Sequence, residues 1–155
     1  MTWADFWVLI ATLNGEATQE SCQRLAEELS RRPVADIIGF AERHAEALYR
    51  LDQEKFGTLP VIDLTVLDGR PFPQSSDGFL YARCAVVAAG QSVWESVFSD
   101  VDKFVPYTST ECDGEWLLYV PDRAYELATG EDWDRPTRYS FESYSNQDGW
   151  PPRQS

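Results

Sequence analysis

Three stretches in the first third of the chain carry apolar residues at intervals of three and four positions. The first, preceded by Thr2 as a predicted N-cap, has them at Trp3, Phe6, Trp7, Ile10 and Leu13. The second, preceded by Thr18, has them at Cys22, Leu25, Ala26 and Leu29. The third begins at Pro33 and has them at Val34, Ile37, Ile38, Ala41, Ala45, Leu48 and Leu51. Because an α-helix has about 3.6 residues per turn, this spacing predicts three amphipathic helices, of which the third is the longest.

The pattern also predicts helices in the second half of the chain. Residues 77–89 are largely apolar and lie between Ser76, a predicted N-cap, and Gly90, which suits the position just after a helix end. Residues 92–98 form a shorter apolar stretch, and residues 121–128 begin with a proline and are followed closely by a glycine. We therefore expect five or six helices in all.

The connection after the third predicted helix, residues 52–75, lacks helical periodicity. It contains helix-breaking residues at Gly57, Pro60, Gly69, Pro71 and Pro73. Residues 61–67 alternate loosely between apolar and polar, which predicts one short strand, and the apolar run of residues 115–120 is also typical of a strand. The sequence thus allows one small strand pair at most.

These elements predict a mainly α fold, a single-domain bundle of five or six helices with a long connection after the third helix and an irregular carboxyl-terminal segment. We assign residues 1–130 to the helical domain. Residues 131–155 are polar and rich in turn residues, but they contain five aromatic side chains, at Trp133, Tyr139, Phe141, Tyr144 and Trp150. Because so many aromatic residues are not typical of a disordered tail, we predict that this segment packs on the body.

The composition narrows the classes of partner and the cellular location. The formal net charge is −13 and the isoelectric point is about 4.3, so the chain would repel nucleic-acid phosphates, and we exclude nucleic acids as partners. The sequence has neither the apolar stretch of about 18 residues that a membrane helix needs nor the basic region of a signal peptide, which predicts a cytoplasmic protein with no membrane partner. Cys22, Cys84 and Cys112 have no metal-ligand spacing, and His44 is the single histidine. We therefore expect buried thiols, no bound metal and no cofactor.

A series of short motifs is spread over most of the chain. They are Phe6-Trp7, Asp77-Gly78-Phe79, Tyr81, Arg83, Gly90, Asp100, Asp102, Glu115, Leu117, Tyr119, Ala124-Tyr125 and Thr129-Gly130. In order and spacing they resemble the bacterial family named domain of unknown function 4240. Ala82 and Ala85 stand where that family usually has bulky aromatic residues, and the 52–75 connection is longer than usual. The resemblance implies a fold and a cytoplasmic location, and it carries no activity.

The start of the carboxyl-terminal segment combines acids with an aromatic residue. Glu131, Asp132 and Asp134 flank Trp133, and a charged rim around an aromatic anchor is common in protein interfaces. We therefore predict that the acidic carboxyl-terminal third, residues 111–155, binds a protein partner through these four residues, for example a basic toxin effector, which the protein neutralises or regulates in an immunity-like or adaptor role. Neither this cluster nor a second one, at residues 111–115, has the spacing of a calcium loop, so both are interpreted as solvated acidic loops rather than cation sites.

The alternative is an enzyme or small-ligand sensor with a pocket near the fourth predicted helix, built from His44, Asp77, Arg83 and an acid of the carboxyl-terminal segment. A general base needs a partner within hydrogen-bond reach, and none is near His44 in sequence, which favours a place at the edge of a packed helix face. Arg83 could bind an anion, but an ion pair with one of the 26 acids is the favoured interpretation. Because no nucleophile elbow or phosphate-binding loop is present, the catalytic residues stay unassigned and a binding protein is favoured.

Overall fold

The computed structural model describes residues 1–152 and consists mainly of helices. The α-helices and strands are α1 (Trp3–Ala11), α2 (Gln19–Ser30), α3 (Val34–Leu51), α4 (Glu54–Gly57), β1 (Pro60–Thr65), β2 (Pro71–Pro73), α5 (Ser76–Ala88), α6 (Gln91–Ser99) and α7 (Val120–Thr129). Three 3-10 helices, Val101–Lys103, Val105–Thr108 and Glu115–Tyr119, lie between α6 and α7. The predicted helical fold is confirmed, and the fourth predicted helix is α5 because the single turn of α4 precedes it. No helix within residues 1–152 has the length and apolar character needed to cross a bilayer.

Side-chain caps fix where the first helices and α5 begin. Thr2 accepts a hydrogen bond from a backbone N–H of the first turn of α1 at 3.1 Å. Thr18 and Ser21 form a reciprocal capping box at the start of α2, with both hydrogen bonds at 3.0 Å. At α5 the cap is Ser75, whose hydroxyl accepts a backbone N–H at 2.9 Å, so this helix begins one residue earlier than predicted.

Helix α3 lies at the centre of the bundle and contacts α1, α2, α5 and α7. On its inward face Ile37, Phe40 and Leu48 are completely buried, whereas Ile38 is only half-buried. Helix α5 is apolar on nearly all sides, and residues 82–88 are all buried. A helix without a polar face is stable only inside a core, so α5 is enclosed by the other elements.

The long connection, for which the sequence predicts one short strand, contains a small pair of strands. Strands β1 and β2 are antiparallel, with Pro60 opposite Pro73 and Val61 opposite Phe72. We call residues 60–73 the hairpin. Most of its side chains are exposed, so it projects from the helical body.

The strand predicted at residues 115–120 is wrong. Glu115–Tyr119 is a 3-10 helix that leads directly into α7, with Leu117 and Val120 buried on one side. Gly114, just before it, lies so close to α5 that a Cβ atom there would clash with the backbone nitrogen of Ala85. The buried positions of the apolar run are thus three residues apart, as in a 3-10 helix, and they pack against a helix rather than a strand.

Residues 131–152, which we call the C-terminal segment, contain no helix or strand. Trp133, Phe141 and Trp150 are partly buried against the helical core. Trp150 approaches α4 so closely that a Cβ atom at Gly57 would lie 2.5 Å from its ring. Residues 153–155, the end of the predicted tail, lie outside the described residues.

Candidate functional site

Two shallow cavities lie side by side between α5 and the loop that precedes α7. The first, of about 310 Å³, lies between the α1–α2 turn and this loop, and the second, of about 300 Å³, lies between the loop and the hairpin. Tyr107, Cys112 and Asp113 line both of them. A third cavity, of about 730 Å³, shares Tyr81 with the second and continues between α5, α7 and the C-terminal segment. The three cavities therefore form one continuous surface.

Six carboxylates line this surface, at Glu16, Asp77, Glu111, Asp113, Asp122 and Glu142, and a seventh, Glu115, accepts a hydrogen bond from Tyr81. We call five of these the acidic face: Glu16, Asp77, Glu111, Asp113 and Glu115. Neither lysine nor arginine lines the first two cavities. The ion pairs found within residues 1–152 lie elsewhere, and none includes a member of the acidic face. In the described part of the chain, no cation neutralises these carboxylates at contact distance.

Two tyrosines converge on one carboxylate of the acidic face. Tyr119 donates its hydroxyl to Glu115 Oε1 at 2.7 Å, and Tyr81 donates to the same oxygen at 3.3 Å. The hydrogen bond to Glu115 is the largest cause that raises the pKa of Tyr119, to about 12. Burial and then the charges of Glu115, Asp77 and Asp113 raise the pKa of Tyr81. Both phenols therefore stay protonated at neutral pH and act as donors.

Of the predicted site residues 131–134, a single one meets this surface. Trp133 lines the third cavity and packs edge-on against Tyr125, with ring centroids 5.4 Å apart. Two arginines, Arg135 and Arg138, line the same cavity, so its wall carries both signs of charge. The three acids of that segment are exposed and line none of the three cavities: Glu131, Asp132 and Asp134.

His44 lies inside the core rather than at the edge of a packed face, so that expectation is wrong. Its side chain is 3% exposed and packs against Phe6 and Phe40, with ring centroids 6.5 and 6.1 Å away. Burial lowers the pKa of His44 to about 3, and its Nε2 atom has no hydrogen-bond partner within residues 1–152. A histidine with so low a pKa is a weak general base at neutral pH.

Arg83 is completely buried, and the ion pair predicted for it is wrong. Its guanidinium donates to the carbonyl oxygens of Leu48 at 2.9 Å and Phe141 at 3.0 Å, and to the hydroxyl of Ser143 at 2.9 Å. No ion pair within residues 1–152 includes Arg83. Burial lowers the pKa of Arg83, and the charge of Asp52 opposes this at longer range. Carbonyl oxygens replace the carboxylate because the C-terminal segment closes over the guanidinium.

The three named residues of the alternative pocket therefore do not line a common cavity. Asp77 is exposed near the start of α5 and lines the third cavity, which neither His44 nor Arg83 lines. Within residues 1–152, no group of three or more histidine, cysteine or acidic side chains is placed to hold a metal ion. The structure thus brings together acids from the α1–α2 turn, α5 and the 111–115 loop, which sequence spacing alone could not associate.

Comparisons with known proteins define the family of the chain. Searches of the curated proteins and of the solved structures found no match. The family model described as Protein of unknown function (DUF4240) matches residues 1–127, from the amino terminus into α7. This agrees with the motif resemblance, and the chain belongs to the family Protein of unknown function (DUF4240).

Proposed function

We propose that the protein binds a basic protein partner through the acidic face, in an immunity-like or adaptor role. The observation that carries this proposal is that three carboxylates of the acidic face, Glu16, Glu111 and Asp113, line two adjoining cavities that no lysine or arginine lines. Carboxylates without a cation at contact distance attract a basic partner, which speeds association and disfavours partners of the wrong charge.

Aromatic side chains on the same surface supply candidate anchors. Trp116 and Tyr119 are 42% and 46% exposed and pack edge-on, with ring centroids 6.1 Å apart. Trp116 lines the first cavity. Interface residues that contribute most to affinity are enriched in tryptophan and tyrosine, so this pair suits the centre of a contact with a polar rim.

The state of the cysteines supports a cytoplasmic location as part of this proposal. Cys22 and Cys84 are buried free thiols, and burial raises the pKa of Cys22 to about 11 and that of Cys84 to about 12. Such thiols stay protonated and unreactive, which suits a protein of a reducing compartment.

A pair of matched charge reversals tests the proposal. The double variant Glu16→Lys/Glu111→Lys changes two exposed acids of the acidic face. The control, Glu131→Lys/Asp132→Lys, makes the same charge change at exposed acids outside the cavities. Tagged wild-type protein and both variants would be used to capture partners from cell lysate, and each captured partner would then be purified for binding kinetics.

We expect a basic partner that wild type and the control bind alike and that the acidic-face variant binds with slower association. Raising the salt concentration should slow association in wild type more than in that variant, because salt screens charges beyond about 8–10 Å. Equal binding by all three proteins, or a partner that is not basic, would contradict the proposal. Loss of binding by the control alone would move the site to the predicted segment around Trp133.

A further inference from the structure

The hairpin exposes apolar side chains that the helical body does not cover. Ile62, Leu64, Leu67 and Phe72 are 56%, 40%, 111% and 40% exposed. A two-stranded hairpin is only marginally stable alone in water, and an exposed apolar patch usually marks an interaction site.

Hydrogen bonds at its base hold the hairpin beside the acidic face. The backbone N–H of Ile62 donates to Thr108 Oγ1 at 3.2 Å. The Asp63 carboxylate accepts the backbone N–H of Thr110 at 3.0 Å and the hydroxyl of Ser109 at 3.2 Å. These bonds join β1 to the loop that carries the acidic 111–115 cluster, so the hairpin and the acidic face are held next to each other.

The second cavity is lined by two chemically different groups of residues. Leu64 and Phe72 of the hairpin supply apolar side chains, whereas Asp113 and Tyr81 come from the acidic side of the surface. We propose that this cavity binds an extended segment of the partner, with its apolar side chains on the hairpin and its cationic side chains on the acidic face. This inference rests on the proposed function and adds to it the sequence pattern of the partner, in which apolar and cationic residues alternate. Successive side chains of an extended chain point in opposite directions, so this pattern places the two kinds of side chain on opposite sides.

Backbone chemistry and charge favour this occupant over the others. Pro71 and Pro73 have no N–H group, so β2 is a poor edge for adding another strand. A second copy of this chain would bring another net charge of −13 to the acidic face. A basic segment that binds through its side chains needs no N–H group of β2, and its positive charge is attracted to the acidic face.

Two fluorescent octapeptides serve as probes, one alternating arginine with leucine and the other alternating arginine with serine. Their affinities would be measured by fluorescence anisotropy for wild type and two hairpin variants. Leu64→Ser/Phe72→Ser changes residues that line the cavity, and the control Ile62→Ser/Leu67→Ser changes exposed apolar residues that do not. Circular dichroism and thermal unfolding would confirm that both variants are folded.

We expect wild type and the control to bind the arginine–leucine peptide at least about tenfold more tightly than the arginine–serine peptide. The cavity variant should bind both peptides equally weakly. The inference is overturned if wild type does not prefer the arginine–leucine peptide, or if the cavity variant keeps that preference. It is also overturned if sedimentation shows a dimer that only the cavity variant disrupts, because the occupant would then be a second copy.

The acidic-face variant Glu16→Lys/Glu111→Lys separates the two proposals. If it weakens binding of both peptides while the hairpin variants change nothing, the proposed function stands and the hairpin inference fails. If it leaves the binding of both peptides unchanged, the cationic contacts of this inference fail, and the proposed function is decided separately by the captured partner.

Discussion

The hairpin and the C-terminal segment both leave the helical bundle and both carry large apolar side chains, but only the C-terminal segment lies against the core. Ile62 and Leu67 of the hairpin are more than half exposed. In the C-terminal segment, Trp150 packs edge-on against Phe79, with ring centroids 6.1 Å apart, and Trp133 packs on Tyr125. The difference shows that apolar content does not decide which irregular segment packs on the core.

Buried charges of the core explain why the C-terminal segment is fixed. Asp52 is completely buried and accepts the backbone N–H groups of Tyr144 at 3.0 Å and Asn146 at 2.9 Å, and Trp150 Nε1 at 2.8 Å. Arg83 donates to the same segment. Tyr144 has a left-handed backbone, with φ of 71°, which these bonds hold in place. A buried charge is stable only when hydrogen bonds replace its hydration, and this segment supplies them.

Removing the buried carboxylate of Asp52, which accepts hydrogen bonds from the C-terminal segment, should have the largest effect on stability. Asp52→Ala leaves three N–H donors without an acceptor and Arg83 without its main opposing charge. We expect the free energy of unfolding, measured by urea denaturation, to fall by about 3–5 kcal/mol. The control is Asp132→Ala at an exposed position, which should change it by less than about 0.5 kcal/mol. Similar values for the two variants would mean that the segment is held by apolar contacts alone.

His44 tests the cost of burying a charge at a side chain whose Nε2 atom has no hydrogen-bond partner within residues 1–152. Its pKa of about 3 lies below the ordinary value of 6.5, so the unfolded chain takes up a proton below pH 6.5 that the folded protein excludes. Stability should therefore fall as the pH decreases, by about 2 kcal/mol more in wild type than in His44→Phe between pH 7 and pH 5. Urea denaturation at both pH values measures this, and parallel pH dependence in the two proteins would contradict the burial of a neutral imidazole.

Trp150→Phe isolates one donor of the C-terminal segment. The change keeps most of the ring against Phe79 but removes the Nε1 donor to Asp52. We expect a loss of about 1–2 kcal/mol in the free energy of unfolding. Trp116→Phe, at a 42% exposed position, is the matched control and should have little effect. A loss as small as that of the control would show that the indole N–H does not contribute.

The smallest effect is expected in the hairpin. Leu67 is fully exposed, so Leu67→Ser should change the free energy of unfolding by less than about 0.5 kcal/mol. Thermal unfolding followed by circular dichroism would detect a larger change. A loss above about 1 kcal/mol would indicate that the hairpin packs on the body and would remove the difference between the two segments.

The sequence predicted best those elements whose residues face one core with a regular period. Helices α1, α2 and α3 follow from their apolar spacing, and α5 from its apolar run between Ser76, the predicted cap, and Gly90. It missed α4, whose single turn is too short for a period to be recognised, although Phe56 within it is completely buried. It assigned residues 115–120 to a strand because the close approach of Gly114 to α5 depends on the tertiary fold.

The candidate site was less predictable because it is assembled from distant parts of the chain. Asp77 and Trp133 were singled out from the sequence and line the third cavity. The acids of residues 111–115 lie within the acidic third that the sequence indicates, but their proximity to Glu16 appears only after folding. The environment of Arg83 was unpredictable for a similar reason. Every residue has a backbone carbonyl oxygen, so the sequence does not show which of them accept hydrogen bonds from the guanidinium.

The placement of Asp52 and Arg83 also bears on the order in which the protein is completed during synthesis. Both residues lie in the region matched by the family model, which ends at residue 127, but several of their partners lie between residues 141 and 150. Amino-terminal parts of a chain generally begin to fold while the rest is still being translated. Here two opposite charges in the nascent helical bundle must keep their hydration until the ribosome has added Trp150. The final closure of the core therefore follows the folding of the helical bundle, and in it the C-terminal segment replaces the water around both charges.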